Sequence, residues 1–275
     1  MLTLSQIQQQ APSVFAEHPW QGVSEKYSFL PTSSIVEALA TKGIQPMSVM
    51  QSAARIPGKS AFTKHMIRFR PEEYASRVVG GVYPEVVLTN SHDRGSAFVI
   101  ESGLFRLICS NGMVVSAGTT QSHRVRHMGT SIGEVLDATY RIIDQFPQIE
   151  STVAKFQSIL LNDTQRETMA QLAMGLRWDA DKVPFEAARL LQSRRVVDNS
   201  KDLWTTFNVI QENLIRGQHI SRRARVVDNS KDWWATSRPA PVVNRSFHST
   251  RAVASIDSNL SINRGLWEIA ETFAK

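Results

Sequence analysis

The fold is decided by two runs, Glu85-Val86-Val87-Leu88-Thr89-Asn90 and Ser96-Ala97-Phe98-Val99-Ile100-Glu101. Both are rich in the β-branched and aromatic residues that strands favour. The residues between them include His92-Asp93-Arg94-Gly95, which supplies the Asp and Gly that tight turns use. The sequence therefore predicts an antiparallel hairpin with a polar tip.

A further strand is predicted by the alternation in Lys64-His65-Met66-Ile67-Arg68-Phe69-Arg70. Side chains of a strand point alternately to its two faces, so His65, Ile67 and Phe69 share one face. The other face carries Lys64, Met66, Arg68 and Arg70 and is therefore basic.

The segment His123-Arg124-Val125-Arg126-His127 alternates in the same way, with both histidines on one face. If this strand and the 64–70 strand neighbour each other, their arginines form one basic sheet face, made of Arg68, Arg70, Arg124 and Arg126. Such a face could track a nucleic-acid backbone.

Helix signals occupy much of the remaining chain. Ser34 to Glu37 has capping-box spacing and predicts a helix that ends near Lys42-Gly43. Apolar residues at 104, 105, 108 and 109 follow helical spacing and predict a short helix that stops at Asn111-Gly112. Ser131-Ile132-Gly133-Glu134 opens a helix that Pro147 interrupts or ends.

The second half is predicted to be mostly helical. One helix opens at Thr164, another runs from about Asn199-Ser200 to Gly217, and a last one carries an apolar stripe from Leu266 to Phe273. The fold class is therefore α+β, with an N-terminal mixed β-sheet and short helices over 1–128. A C-terminal, largely helical half is expected over 129–275, with a basic loop at about 218–249.

The composition is that of a globular protein, with 42% hydrophobic and 20% charged residues. No run approaches the roughly 20 apolar residues that span a bilayer, and the first residues do not resemble a signal peptide, so we expect no membrane role and a cytoplasmic location. Cys109 is the only cysteine. It excludes an intrachain disulfide, a zinc knuckle and a CxxC redox pair.

The positive charge is concentrated in one segment. Of 31 basic and 25 acidic residues, 11 and 5 lie between Arg194 and Arg251, so this segment holds the whole net charge of +6. A local surplus of this kind favours a polyanion partner, although a solvated basic loop is an equally open interpretation.

A block of sequence is repeated inside this segment. Arg195-Val196-Val197-Asp198-Asn199-Ser200-Lys201-Asp202 recurs thirty residues later, and each copy is followed by tryptophan. The first copy leads into a helix, whereas the second runs into Arg238-Pro239-Ala240-Pro241. We interpret the second copy as a duplicated insertion; two equivalent Arg/Trp elements that bind single strands are the alternative.

The polar tip of the hairpin is the first candidate site. Asn90 and His92 there, together with Arg106 and Asn111, would converge on one polar surface that contacts a phosphate or base. The competing interpretation is turn chemistry, since Asn, Ser and Asp side chains often bind the backbone at strand ends.

The sequence gives less support to an enzymatic function. Metal ligands could be drawn from His92, Asp93, Cys109, His123 and His127, but their spacing matches no standard signature. Cysteine catalysis through Cys109 has little support, because a cysteine in an apolar stripe is usually buried. A metal-dependent nuclease lacks paired carboxylates on one element. We therefore expect no catalytic residues, no metal and no cofactor.

Several separated motifs resemble one known family. They are Tyr27-Ser28-Phe29-Leu30-Pro31-Thr32, Thr63-Lys64-His65-Met66-Ile67-Arg68, Leu88-Thr89-Asn90-Ser91-His92-Asp93, Phe105-Arg106 with Cys109-Ser110-Asn111-Gly112, Asp202-Leu203-Trp204-Thr205-Thr206, Gln211-Glu212-Asn213-Leu214-Ile215, Thr250-Arg251-Ala252-Val253, Ile256-Asp257 and Asn263-Arg264. Together they resemble the YafZ/YfjQ-like proteins of bacterial prophages, plasmids and genomic islands, classed as a domain of unknown function. The chain departs from that pattern between Gln218 and Ser249.

The resemblance implies a mobile-element setting but no activity. Combined with the basic segment, it leads us to expect a nucleic-acid-binding protein, with single-stranded DNA favoured, that acts by binding or annealing in replication or recombination. The alternative is an interaction protein that blocks a host factor. The oligomeric state is left open.

Overall fold

The computed structural model describes ten stretches of the chain. They are residues 1–22, 28–78, 80–106, 112–115, 122–125, 131–217, 219–221, 225–226, 243–244 and 247–275. At residue 106, in 112–115 and between 219 and 249, the description is of the backbone alone.

The first half of the described chain forms a sheet with short helices. Its elements are α1 (Leu4–Gln10), α2 (Thr32–Thr41), β1 (Ile44–Gln51), β2 (His65–Pro71), β3 (Val82–Asn90), β4 (Phe98–Arg106), β5 (Gly112–Val115) and β6 (His123–Val125). The predicted hairpin is confirmed as β3 and β4, and the predicted 64–70 strand is confirmed as β2.

Neighbouring strands of this sheet are antiparallel throughout. Their order is β1-β2-β3-β4-β5, and β6 pairs with β4 beside β5. The sheet is therefore simpler than the mixed sheet that the sequence led us to expect. Antiparallel neighbours do not need the long crossover connections that parallel strands require.

The second half is helical, as predicted. Its elements are α3 (Ile132–Ile143), α4 (Phe146–Ser158), α5 (Asp163–Met174), α6 (Leu203–Arg216), the short strands β7 (His219–Ser221), β8 (Arg225–Val226), β9 (Val243–Asn244) and β10 (Phe247–Ser249), and α7 (Ile256–Phe273). The α+β class is confirmed. α3 ends at Ile143, Pro147 lies in the first turn of α4, and Gly217, with φ of 78°, ends α6.

The prediction of a helix that begins at Leu104 is wrong for residues 104–106, which the structure describes. Residues 104 to 106 belong to β4, in which Leu104 pairs with both Pro84 and Met113. Hydrogen bonding on both edges of a strand outweighs a weak helical spacing of apolar residues. The rest of that helix, including Cys109 and Asn111, lies outside the described residues.

One face of the sheet carries the main core. Ile67, Val86, Leu88 and Ile100 pack there against a continuous apolar cluster that also contains residues of α3 to α7. The core therefore contains residues from both halves. The domain boundary at 128/129 falls between β6 and α3 and stays a prediction.

The opposite face of the sheet is covered by the start of α7, and we call it the α7 face. Ile256 and Leu260 of the helix pack on Met66, Val87 and Phe105 of the sheet. Two ion pairs flank this contact: Lys64 Nζ lies 2.6 Å from Asp257, and Arg264 of the helix pairs with Glu101 of β4.

The first copy of the repeated block is built into the fold. Arg195 donates to both carboxylate oxygens of Glu212, at 2.8 and 2.9 Å. The Asp202 side chain caps α6 by accepting from the Thr205 backbone N–H at 2.8 Å. The second copy lies almost wholly outside the described residues.

Among the residues that the structure describes, none of the helices has the length and apolar character that crossing a membrane requires.

Candidate functional site

A cluster of five polar side chains lies beneath the hairpin tip. Ser13, Thr32, His65, Asn90 and His92 are all fully buried, and we call them the buried polar cluster. They come from four separate parts of the chain: the turn after α1, the start of α2, the start of β2 and the end of β3 with its following turn. Burying five such groups is tolerated only when they bind one another.

Thr32 is the hub of this cluster. Its hydroxyl lies 2.9 Å from His65 Nε2, 3.2 Å from His92 Nε2 and 3.0 Å from Asn90 Nδ2. A hydroxyl donates one hydrogen bond and accepts two, so these three partners use its full capacity.

The direction of each bond follows from Ser13. Its backbone N–H and its hydroxyl both donate to Gln51 Oε1, at 2.9 and 2.8 Å. Because the Ser13 proton is committed, His65 must donate from Nδ1 across 2.9 Å to the Ser13 oxygen. His65 Nε2 then accepts from Thr32, which leaves His92 to donate to Thr32 from its own Nε2. The cluster is thus a one-way chain of hydrogen bonds in which His65 is neutral.

Burial keeps His65 neutral over most of the pH range. Loss of hydration and the neighbouring His92 lower the pKa of His65 to about 3, although the Thr63 carbonyl opposes this by accepting from Nδ1. If His65 were protonated, the Thr32 hydroxyl oxygen would also face three hydrogen-bond donors with only two lone pairs to accept them.

Acid is therefore expected to destabilise the protein through His65. The unfolded imidazole, with a pKa near 6.5, binds its proton before the folded one does, so stability is full above pH 6.5 and is lost as pH falls toward 3. The loss is on the order of 3 kcal/mol by pH 4. Urea denaturation at pH 7 and 4 measures it.

The control for this prediction is His65→Gln, which has no proton to gain in this range. We expect it to be less stable than the wild type at pH 7 but to lose less on acidification. If both proteins lost the same free energy between pH 7 and 4, the buried imidazole would not be the cause.

The cluster is unsuited to nucleophilic catalysis. Ser13 and His65 are fully buried, so a substrate has no access to the hydroxyl. The Ser13 proton already goes to Gln51 rather than to the imidazole. Its chemistry is that of a support, which fixes the hairpin tip against the N-terminal segment.

The backbone of the tip follows the turn-chemistry interpretation. The Ser96 N–H donates to Ser91 Oγ at 2.8 Å, and the Gly95 N–H donates to Asp93 Oδ1 at 2.9 Å. Lys59 Nζ lies 2.9 Å from Asp93. Burial alone would raise the pKa of Asp93, but Lys59, the Gly95 N–H and Ser91 together lower it.

Aromatic side chains lie over the cluster, on the outside of the tip. The Phe62 ring centroid is 5.2 Å from that of His18 and 5.2 Å from that of Trp20. His18 is exposed, and Trp20 and Phe62 are half-buried. Backbone bonds join these loops to the tip, because the Trp20 N–H donates to the His92 carbonyl and the His92 N–H to that of Phe62.

Two exposed arginines lie nearby, one on the loop after β1 and one on the hairpin tip. Arg55 follows β1, and Arg94 occupies the hairpin tip with φ of 67°. Neither guanidinium has an ion pair within the described part of the chain. We call His18, Trp20, Phe62, Arg55 and Arg94 the tip surface.

The arginines of β2 are held inside the fold. Glu85, fully buried, lies 2.7 Å from Arg68 Nε and 2.5 Å from Arg70 Nη2. Arg68 also stacks over the Phe105 ring at 3.6 Å, and Arg70 over Tyr83 at 3.8 Å. One buried carboxylate on the α7 face therefore binds both guanidinium groups.

The premise that the two arginine-bearing strands neighbour each other is wrong. β3 and β4 separate β2 from β6, a distance of roughly 14 Å. Arg124 does lie on the α7 face, opposite Val99, and is exposed. Arg126 and Asn111 lie outside the described residues, and of Arg106 only the backbone, at the end of β4, is described. Arg106 pairs with Val82, at the end of the β3–β4 hairpin opposite the tip, so its predicted convergence with Asn90 and His92 is wrong, whereas that of Asn111 stays a prediction.

The described residues include no group of three or more metal-binding side chains. Of the earlier metal candidates, His92 is bound to Thr32 and Asp93 to Lys59. Cys109 and His127 lie outside the described part.

Sequence reasoning found His92 and Asn90 but missed most of their surroundings. Ser13 and Thr32 belong to short polar stretches that resemble ordinary caps and turns. Trp20 follows Pro19 in a segment with no helical or strand period. The half-burial of both Trp20 and Phe62 depends on loops that meet only in the folded chain.

The family model described as "Domain of unknown function (DUF932)" matches residues 19–267. Two curated proteins of Escherichia coli (strain K12) are similar over nearly the whole chain. UPF0380 protein YafZ is 35% identical over 270 residues, which are 98% of this chain and 90% of its own. UPF0380 protein YfjQ is 34% identical over 271 residues, which are 98% of this chain and 91% of its own. No solved structure matches significantly. The predicted resemblance is thus confirmed, and the chain belongs to the DUF932 family.

Proposed function

We propose that this protein binds nucleic acid, preferably single strands, in the replication or recombination of a mobile element. The proposal is supported by the location of the positive charge. Once the ion pairs within the fold have been counted, most of the net positive charge lies in one segment. The sheet arginines Arg68 and Arg70 are poorly placed to supply this charge, because both bind buried Glu85 and their side chains are only 17% and 10% exposed.

The cations of the helical half up to Gly217 are largely engaged. Arg195 and Arg216 bind Glu212, and Lys201 lies 2.9 Å from Asp163. Arg194 donates to the Asn213 side chain and to the Gly217 carbonyl. Asp198, Glu212 and Asp163 therefore offset the charges of Arg195, Arg216 and Lys201, whereas Arg194 binds only neutral groups and keeps its charge.

The surplus is in the basic loop, residues 218–249. It contains six Lys or Arg and two Asp, so it holds +4 of the net +6. Two antiparallel strand pairs, β7 with β10 and β8 with β9, join its outward and return paths between α6 and α7. A segment with this surplus of positive charge suits electrostatic attraction to phosphates.

The test is fluorescence anisotropy of labelled single-stranded DNA, duplex DNA and RNA over a salt series. Replacing Arg222, Arg223 and Arg225 by alanine is expected to weaken single-strand binding on the order of a hundredfold at ~0.1 M salt. The slope of log affinity against log salt should become shallower by about 2, since each lost phosphate contact contributes about 0.7.

The control variant replaces three exposed cations elsewhere, Lys42, Arg141 and Lys155, and so removes the same charge. It should bind nearly as the wild type does. Equal loss in both variants would mean that only net charge matters. Absence of binding by the wild type at low salt would refute the proposal.

A groove at the end of α5 favours a second candidate, an interaction protein. It encloses about 530 Å³, is lined by Met174, Trp178 and Phe185, and among the described residues has only Glu167 and Glu186 as charged lining groups. Such a groove repels nucleic acid and suits a cationic apolar segment of a partner protein. A protein complex that survives nuclease treatment but is lost on Trp178→Ala would support it.

A further inference from the structure

The tip surface combines features that the fold itself does not require. Its aromatic side chains are partly solvent-accessible, whereas aromatic residues of the core, such as Phe69 and Phe98, are fully buried. Its two arginines are exposed and make no ion pair within the described residues.

We infer that the tip surface is a stacking site for the bases of single-stranded nucleic acid, an inference that rests on the proposed function. His18, Trp20 and Phe62 would take the bases, and Arg55 and Arg94 would take the flanking phosphates. Every base has a π-face, so such a site binds single strands with little regard to sequence.

The rings form one continuous aromatic surface. Phe62 lies between His18 and Trp20, with both neighbours at 5.2 Å and tilted by 39° and 57°. The edge of Trp20 faces the exposed Gly58, where an added Cβ would lie 4.0 Å from the ring. A tilted set of partly accessible rings offers more than one place for a base to stack.

Arg94 is the strongest sign of a ligand. It is the only non-glycine residue with positive φ among the described residues. A left-handed backbone costs an L-residue roughly 1 kcal/mol that glycine avoids. No described hydrogen bond or ion pair of the Arg94 side chain offsets that cost. An exposed cation kept in a strained turn is typical of a binding position.

The buried polar cluster holds this surface in place. His92, whose ring contacts the Thr32 hydroxyl, also binds the backbones of Trp20 and Phe62 through its own N–H and carbonyl. The two ring-bearing loops therefore meet at one buried residue. A platform fixed before binding loses less conformational entropy when a base stacks.

The test compares two probes with the same number of phosphates, a short oligothymidylate and the matching abasic oligonucleotide. The wild type should bind the oligothymidylate about tenfold or more tightly than the abasic probe, because base stacking adds to the electrostatic attraction that both probes share. Trp20→Leu should abolish most of this preference and leave the salt slope unchanged. Tyr140→Leu, which alters an exposed aromatic residue of α3, should retain it.

Arg94→Gly provides a variant that does not depend on the folding of Trp20→Leu. Relief of the left-handed strain should keep or raise its melting temperature, while its affinity for oligothymidylate falls several-fold. A drop in melting temperature with unchanged affinity would assign Arg94 to the turn alone and overturn its part in the inference.

The outcomes separate the two proposals. Salt-dependent binding that is equal for both probes overturns the stacking site and leaves the proposed function standing. Displacement of oligothymidylate by polyglutamate with equal efficiency overturns it in favour of an acidic protein partner. A preference lost in Trp20→Leu and kept in Tyr140→Leu supports it, and no binding to either probe refutes both proposals.

Discussion

Replacing Thr32 by valine is expected to lower the free energy of unfolding by about 4 kcal/mol. Valine has nearly the same shape but no hydroxyl, so three buried groups lose a partner together: His65 Nε2, His92 Nε2 and Asn90 Nδ2. Each loss costs about 1–3 kcal/mol, because these groups cannot reach water. Urea denaturation at neutral pH measures the change.

Thr32→Ser is the matched control, since it keeps the hydroxyl and removes only a methyl group. It should cost about 1 kcal/mol. If valine were tolerated as well as serine, the Thr32 hydroxyl would not organise the cluster, and the hydrogen-bond directions derived above would need another origin.

Replacing Glu85 by alanine is expected to cost about 3–5 kcal/mol, the next largest effect. The change leaves Arg68 and Arg70 without their shared carboxylate, and the side chain of Arg70 is only 10% exposed. A buried cation without a counter-charge is much costlier than the pair itself is stabilising. Thermal and urea denaturation should agree on the loss.

An exposed ion pair provides the comparison. Lys182 and Asp179 lie 2.8 Å apart with side chains that are 70% and 73% exposed, so Lys182→Ala should change stability by no more than about 0.5 kcal/mol. If Glu85→Ala were equally mild, the two arginines would have found solvent, and the α7 face would be more open than its packing indicates.

Local patterns predicted the parts of the fold that depend on neighbouring residues. The alternation of 64–70 placed Arg68 and Arg70 correctly on one face of β2. It could not show what covers that face, because the covering helix begins at Ile256, far along the chain. An alternating strand has a polar face whether that face meets water or a distant carboxylate.

The candidate site was predictable only in part for the same reason. His92 was noticeable as a polar residue at a strand end, and the interpretation of the turn was correct for Ser91 and Asp93. Its partner Thr32 lies 60 positions away along the sequence, and Ser13, which binds His65 in the same cluster, lies 79 positions away. Nothing in their local pattern points to His92, and only the folded chain brings them together.

The position of α7 has a consequence for the order of events in folding. Its contacts with the sheet join residues 193 and 163 positions apart, in the Lys64–Asp257 and Arg264–Glu101 pairs. On a ribosome, where synthesis runs from the N-terminus, the sheet emerges with Met66, Val87 and Phe105 uncovered until the last helix arrives. The nascent chain therefore passes through a stage in which this apolar sheet face is exposed.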